Sequence, residues 1–191
     1  MICDRTSQHF SDHLGREICC AYKTTATGYT TESAAAAEAL TEVGNKLMGS
    51  NFDPPSSFPS KSFSKSHSAG KAWAAGSTAQ LGIGIDIEHL RPVDSAIHRF
   101  IIDIKIEQPW LTGSSDSSML FKIWTAKEAL FKSDLENKGK VLSQYVVESL
   151  PTKSKPGFAH SGMKQYAFQT LSDSSTVLTV AVPIRGNSEY C

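Results

Sequence analysis

The 191-residue sequence predicts an α+β protein, and three patterns carry that prediction. Leu81-Gly82-Ile83-Gly84-Ile85-Asp86-Ile87-Glu88 alternates between branched aliphatics and glycine or carboxylate, the period of a strand with one face on a core. From Ser118, the spacing of Leu120, Ile123, Trp124, Lys127 and Phe131 marks an amphipathic helix running to about Leu135. Residues 166–171 and 176–182, joined by Ser172-Asp173-Ser174-Ser175, read as a closing antiparallel hairpin that stops at Pro183.

In chain order, residues 1–30 are weakly patterned, with 18–22 a short buried strand and Tyr29 a further apolar point. Residues 31–47 form a helix whose small face carries Ala34 to Ala37, Ala39, Leu40, Val43 and Leu47. Thr31 or Ser33 caps it and Gly49 ends it. The proline- and serine-rich stretch 51–60 is a loop or a joint. Residues 63–75 then lead to Gly76-Ser77-Thr78-Ala79, which reads as a hairpin turn into the alternating strand. With Thr78 near the centre of that turn, His67 lies opposite His89, one step from Glu88, and Ser66-His67-Ser68 falls at the carboxylate end. Arg91-Pro92 ends the strand. Residues 93–102 have helical spacing at Val93, Ile97, Phe100 and Ile101, with Asp94 in the first turn, where the helix dipole favours it. An irregular segment reaches Pro109-Trp110, residues 113–117 form a loop and cap cluster, 139–147 return to extended structure, and 184–191 are a frayed tail.

Lysines plus arginines number 19 and aspartates plus glutamates 19, so no global field selects nucleic acid or an acidic membrane. No apolar run approaches a membrane span and no signal peptide is legible. Cys3, Cys19, Cys20 and Cys191 lack metal-ligand spacing and read as thiols of a reducing compartment. The expectation is a soluble, cytoplasmic protein.

On the alternating strand, Asp86 and Glu88 project from one face about 6–7 Å apart. Such like charges need full hydration or an intervening cation, so a solvated polar face and a hard divalent ion with oxygen ligands both satisfy the pattern. The neighbouring glycines leave room for something to approach the backbone. Downstream, Trp124-Thr125-Ala126-Lys127-Glu128-Ala129-Leu130-Phe131-Lys132 places Trp124, Glu128 and Lys132 on one helical stripe. Glutamate and lysine at that spacing also form a common surface pair, and Trp124 reads as core.

Taken together, Ser66-His67-Ser68, the Gly-Ile-Asp-Ile-Glu strand, Arg91-Pro92 and the Trp-x-x-Lys-Glu-Ala-x-x-Lys helix resemble the 4′-phosphopantetheinyl transferases, the Sfp-like branch in particular, over roughly residues 58–182. The resemblance implies two similar α+β halves in one chain, with coenzyme A in the cleft between them. Residues 1–78 would form a shortened N-terminal half and 79–183 a C-terminal half bearing the metal and catalytic motifs. It implies transfer of the phosphopantetheine arm of coenzyme A to a serine of an acyl or peptidyl carrier protein, with release of 3′,5′-ADP. It assigns Asp86, Glu88 and Glu128 to Mg²⁺, or Mn²⁺, and Lys132 to the phosphates with Lys127 nearby. Ser66 and His67 would hold coenzyme A phosphates, and Glu128, Lys132 and His67 would be catalytic. Phe100, Ile101, Ile104 and Trp110 would meet the carrier, with Lys122, Lys127 and Lys132 as a basic rim, and a chain holding both halves would act as a monomer. The first half departs from the family pattern. Its Ala-rich helix, Glu32 to Glu38, lacks the usual arginine, and Pro59-Ser60-Lys61 stands where Gly-Lys-Pro is usual; Arg16, Lys23, Lys61 and Lys65 are the available cations. A non-catalytic relative that binds coenzyme A or carrier protein, and a metal-dependent phosphohydrolase, are the competing readings.

Overall fold

The computed structural model describes residues 2–28, 31–93, 98, 100–113 and 118–184. The elements run α1 (Ile2–Leu14), β1 (Cys19–Thr24), α2 (Glu32–Met48), β2 (Phe63–Ser68), β3 (Lys71–Gly76), β4 (Gly84–His89), α3 (Gln108–Gly113), α4 (Met119–Ser133), β5 (Val146–Ser149), β6 (Gly157–Ser161), β7 (Lys164–Ser172) and β8 (Thr176–Pro183). Two sheets result, a three-stranded one in the order β1-β3-β2 and a five-stranded one in the order β4-β8-β7-β6-β5. The protein is therefore mixed α+β. The readings of Asp94, Ile97, Tyr29, the loop 114–117 and the tail beyond Ile184 fall outside the described residues.

Helix α1 was not anticipated. Its buried positions Thr6, Phe10 and Leu14 do recur every fourth residue, but serines, histidines and aspartates of modest helix propensity lie between them. The helix binds β1 through side chains: the Cys20 N–H donates to Ser7 Oγ at 2.9 Å and the Ile18 N–H to Ser11 Oγ at 2.9 Å. Helix α2 begins where expected, with Thr31 Oγ1 accepting from the Ala34 N–H at 3.1 Å, and it covers the first sheet with Ala39, Leu40 and Val43. Helix α4 covers the second sheet with Ile123, Ala126, Ala129 and Leu130. A third cluster draws on both sheets and α1, joining Phe10, Trp73 and Ala75 to Ile85, Ile87, Val180 and Val182.

The strand order corrects the expected hairpin. Strand β2 folds back on β3, not on β4, with Ser68 opposite Lys71 and Phe63 opposite Gly76. The turn is Ala69-Gly70, whose φ angles of 48° and 79° are both positive, as a two-residue type I′ turn requires. His67 thus faces Ala72 instead of His89. Gly76-Ser77-Thr78-Ala79 instead begins the crossing from the first sheet to the second, where the Ser77 N–H donates to Ser62 O and the Gly82 N–H to Lys61 O, each at 2.9 Å. Among the described residues no helix is long and apolar enough to cross a membrane.

Candidate functional site

Strands β2 and β4 are edge strands of different sheets, yet they run side by side. Ser64, Ser66 and Ser68, which alternate onto one face of β2, accept hydrogen bonds at Oγ from the N–H groups of Ile85, Ile87 and His89, at 3.1, 3.4 and 3.3 Å. Side-chain hydroxyls therefore satisfy an edge that would otherwise present unpaired amides. Two of the same serines also donate to the carboxylates of β4. Ser66 Oγ reaches Asp86 Oδ1 at 2.8 Å and Ser68 Oγ reaches Glu88 Oε2 at 3.4 Å.

Against the other side of β4 lies α4, and the glycines explain how closely. A Cβ on Gly84 would stand 1.8 Å from Ala129 O, and one on Gly82, whose φ is +99°, 2.2 Å from Ser133 O. The space that these glycines leave open is filled by helix backbone. That approach brings Lys132 Nζ to 2.6 Å from Asp86 Oδ1 and 3.2 Å from Ser66 Oγ. Asp86 is only 4 % exposed, and its second oxygen, Oδ2, is buried without a hydrogen-bond partner among the described residues. Burial pushes the Asp86 pKa up, against the pull of Lys132. Burial likewise raises Glu128, and the negative charge of Asp86 adds to it, while Lys132 and a hydrogen bond from Trp124 oppose. Glu88 contributes a further repulsion to both groups, so the three carboxylates sense one another. Glu88 itself is held by Arg91 Nη1 at 2.7 Å, whose guanidinium lies 5.7 and 5.5 Å from the ring centres of Phe121 and Trp124.

Of the residues singled out from sequence, Asp86, Glu128, Lys132, Ser66 and Glu88 are brought together, whereas His67 and Lys127 are not. His67 alternates away from Ser66 and Ser68, and its Nδ1 meets Glu32 Oε2 on α2 at 3.0 Å. The expected place beside Glu88 followed from the β2–β4 hairpin register, and the structure corrects both. Lys127 lies on a different side of α4 from Glu128 and is fully buried, 2.7 Å from the equally buried Glu107. It is a core ion pair, out of reach of a phosphate in the cleft. Three of the four candidate cations of the first half are also engaged: Lys23 pairs with Glu42 at 2.8 Å, Arg16 donates to Pro183 O at 2.7 Å, and Lys65 stands over the Phe58 ring. The sequence places Ser68 at the carboxylate end without a role and leaves Ser64 unmarked, although the Ser-x-Ser-x-Ser period directly before the turn is a signal for both.

Two clefts flank this cluster. Glu128 lines one of about 510 Å³ with Phe100, Ile101, Phe131, Val141 and Leu142, and Lys132 lines one of about 230 Å³ with Phe58, Pro59, Lys65 and Asn137. Of the residues expected to meet a carrier, Phe100 and Ile104 are 75 % and 74 % exposed, Ile101 is buried, and Trp110 packs against the core under α4. Among the described residues no three His, Cys, Asp or Glu side chains form a ready ion cage; Asp86 is neutralised by Lys132, and Glu88 by Arg91.

No curated protein matches the chain. Residues 82–174, which carry Asp86, Glu88, Glu128 and Lys132, match the family model of the 4′-phosphopantetheinyl transferase superfamily.

Proposed function

We propose that the protein transfers the 4′-phosphopantetheine arm of coenzyme A to a serine hydroxyl of an acyl or peptidyl carrier protein, in the Sfp-like manner, with Mg²⁺ or Mn²⁺ bound. The observation that carries this reading is the meeting of Asp86, Glu128 and Lys132 where α4 presses on β4, within the segment that matches the superfamily. The donor type suits a hard divalent ion, and closing a cage would require Asp86 and Glu88 to turn from Lys132 and Arg91. Asp86, Glu88 and Glu128 offer only oxygens, and Asp86 Oδ2 has no partner among the described residues. Asp86, Glu88 and Glu128 would hold the ion, which when bound supplies charge neutralisation on the pyrophosphate oxygens.

The side chains of the chain do the rest. Lys132, anchored by Asp86 and Ser66, presents a cation to the phosphate that becomes the leaving group. The serine oxygen of the carrier attacks the phosphorus that bears the pantetheine arm. A new P–O ester bond forms, the pyrophosphate P–O bond breaks, and the electron pair leaves on 3′,5′-ADP. Glu128 takes the serine proton, directly or through water. Its position on the wall of the larger cleft gives it access to an entering hydroxyl, and because a bound cation would lower its basicity, the route through water suits a Glu128 that also holds the ion. His67, paired with Glu32 and 44 % exposed, is outside this proton path and is available only to the outer phosphates of coenzyme A.

The test mixes the protein with an apo carrier protein, coenzyme A and Mg²⁺ and weighs the carrier. A mass gain equal to one phosphopantetheine arm is expected, and Asp86→Ala or Glu128→Ala should lower the rate at least about a hundredfold while circular dichroism stays unchanged. Coenzyme A binding without transfer would make the protein a non-catalytic relative. Phosphate release in the absence of carrier would make it a phosphohydrolase.

A further inference from the structure

The serines of β2 repeat one arrangement along β4. Ser66 accepts from the N–H of Ile87 and donates to the carboxylate of the preceding residue, Asp86. Ser68 accepts from the N–H of His89 and donates to the carboxylate of the preceding residue, Glu88. Ser64 accepts from the N–H of Ile85, but the preceding residue there is Gly84, so it has no carboxylate to hold. Ser66 and Ser68 thus each fix one carboxylate oxygen by a bond whose other end is tied to the backbone of the same strand. At Asp86 the consequence is visible: Oδ1 takes Ser66 and Lys132, and Oδ2 is buried and unpartnered among the described residues. At Glu88, Oε2 takes both Ser68 and Arg91.

We infer that this serine ladder decides which oxygen of Asp86 and of Glu88 is turned toward the ligand, and that Ser68 is a positioning residue for Glu88 as Ser66 is for Asp86. The inference rests on the proposed function for what the ligand is. It does not rest on it for the ladder itself. Among the described residues β2 and β4 share no backbone ladder, so along β4 itself the serine hydroxyls are what ties this edge to β2. Loss of the Ser66 or Ser68 hydroxyl frees an amide and a carboxylate oxygen together, which links two measurements that a general loosening would not link.

The experiment compares Ser68→Ala, Ser68→Thr and Ser64→Ala in the full chain. Amide hydrogen exchange is followed at Ile85 and His89, and Mn²⁺ affinity is read by electron paramagnetic resonance without coenzyme A. Ser68→Ala should speed exchange at His89 about fivefold or more and weaken Mn²⁺ about tenfold. In the carrier assay it should raise the KM for Mg²⁺ more than it lowers kcat at saturating Mg²⁺. Ser68→Thr, which keeps the hydroxyl, should restore both readouts. Ser64→Ala should speed exchange at Ile85 and leave the Mn²⁺ affinity at the wild-type value. Unchanged His89 exchange in Ser68→Ala overturns the ladder, and so does an equal loss of Mn²⁺ in Ser64→Ala, which would mean that the seam merely loosens. A wild-type protein that binds no Mn²⁺ while Ser68→Ala still exposes the His89 amide removes the metal from the proposed function but leaves the ladder in place.

Discussion

Lys127 and Lys132 show how much a single helical position decides. Both are lysines of the same motif on α4, and the resemblance places both near phosphate. One turn of helix presents Glu128 and Lys132 to β4, while Lys127 points into the layer under residues 101–107. There its ammonium donates to Ile101 O and pairs with Glu107, whose other bonds take the Asp103 N–H at 2.7 Å and the Val147 N–H at 2.8 Å. Burial pulls the Lys127 pKa down, and the charge of Glu107 opposes that pull. The pair ties α4 to the segment before α3 and to β5. Removing one member leaves the other as an unpaired charge in the core, so Lys127→Met should destabilise the fold by about 3–5 kcal/mol. Urea denaturation reads that loss directly. The coenzyme A affinity of the folded fraction should match the wild type. A variant of normal stability with weakened coenzyme A binding would return Lys127 to the phosphates.

At the scale of elements, the site is an outcome of how α4 meets β4. The alternation of Leu81 to Glu88 and the helical period after Ser118 are local signals, so both elements were legible, as were the start of α2 at Thr31 or Ser33, of which Thr31 is the cap, and the closing hairpin of β7 and β8. The partner of β2 was not. Ala69-Gly70 lacks the Asn-Gly or Asp-Gly signature of a type I′ turn, and Gly76-Ser77-Thr78-Ala79 has turn composition without forming a hairpin. Ser66 and Ser68 still arrived beside the carboxylates, because β2 runs next to β4 in the same direction instead of folding back on it. The glycines were read as room for an approach to the strand, but nothing local could say that the approaching group was a helix. Gly84 carries this most sharply. An added methyl group would collide with Ala129 O, an atom fixed in the helix backbone, so α4 would have to move away from β4. Gly84→Ala should cost about 3 kcal/mol and lower the transfer rate even where the protein remains folded, since Lys132 and Glu128 retreat from Asp86. Thermal melting and the carrier-mass assay on the same sample separate the two effects. Wild-type stability with an intact rate would show that the placement of α4 on β4 does not depend on the missing Cβ of Gly84.

For the molecule as a whole, the question is whether its two sheets behave as one unit or as two. The seam between β2 and β4 consists of serine hydrogen bonds, each contributing about 0.5–1.5 kcal/mol net. The apolar cluster that both sheets share outweighs them. Ile85, Ile87, Leu178, Val180 and Val182 of the second sheet are packed with Phe10, Leu14, Trp73 and Ala75 of the first half, and each fully buried aliphatic side chain contributes about 1.5–3 kcal/mol. If either sheet unfolded alone, it would expose this cluster, so partial unfolding should be penalised far beyond the cost of the seam. The tryptophans report on the two sides. Trp73 lies in the shared cluster on β3, and Trp124 lies on α4 over the second sheet. Two variants that each keep one of these tryptophans, with the others changed to phenylalanine, should unfold in urea at the same midpoint relative to their own circular dichroism, in a single transition. Midpoints that separate, with Trp73 exposed while Trp124 remains quenched or shifted as in the native protein, would mean that the sheets unfold independently and that the serine seam alone sets the geometry between them.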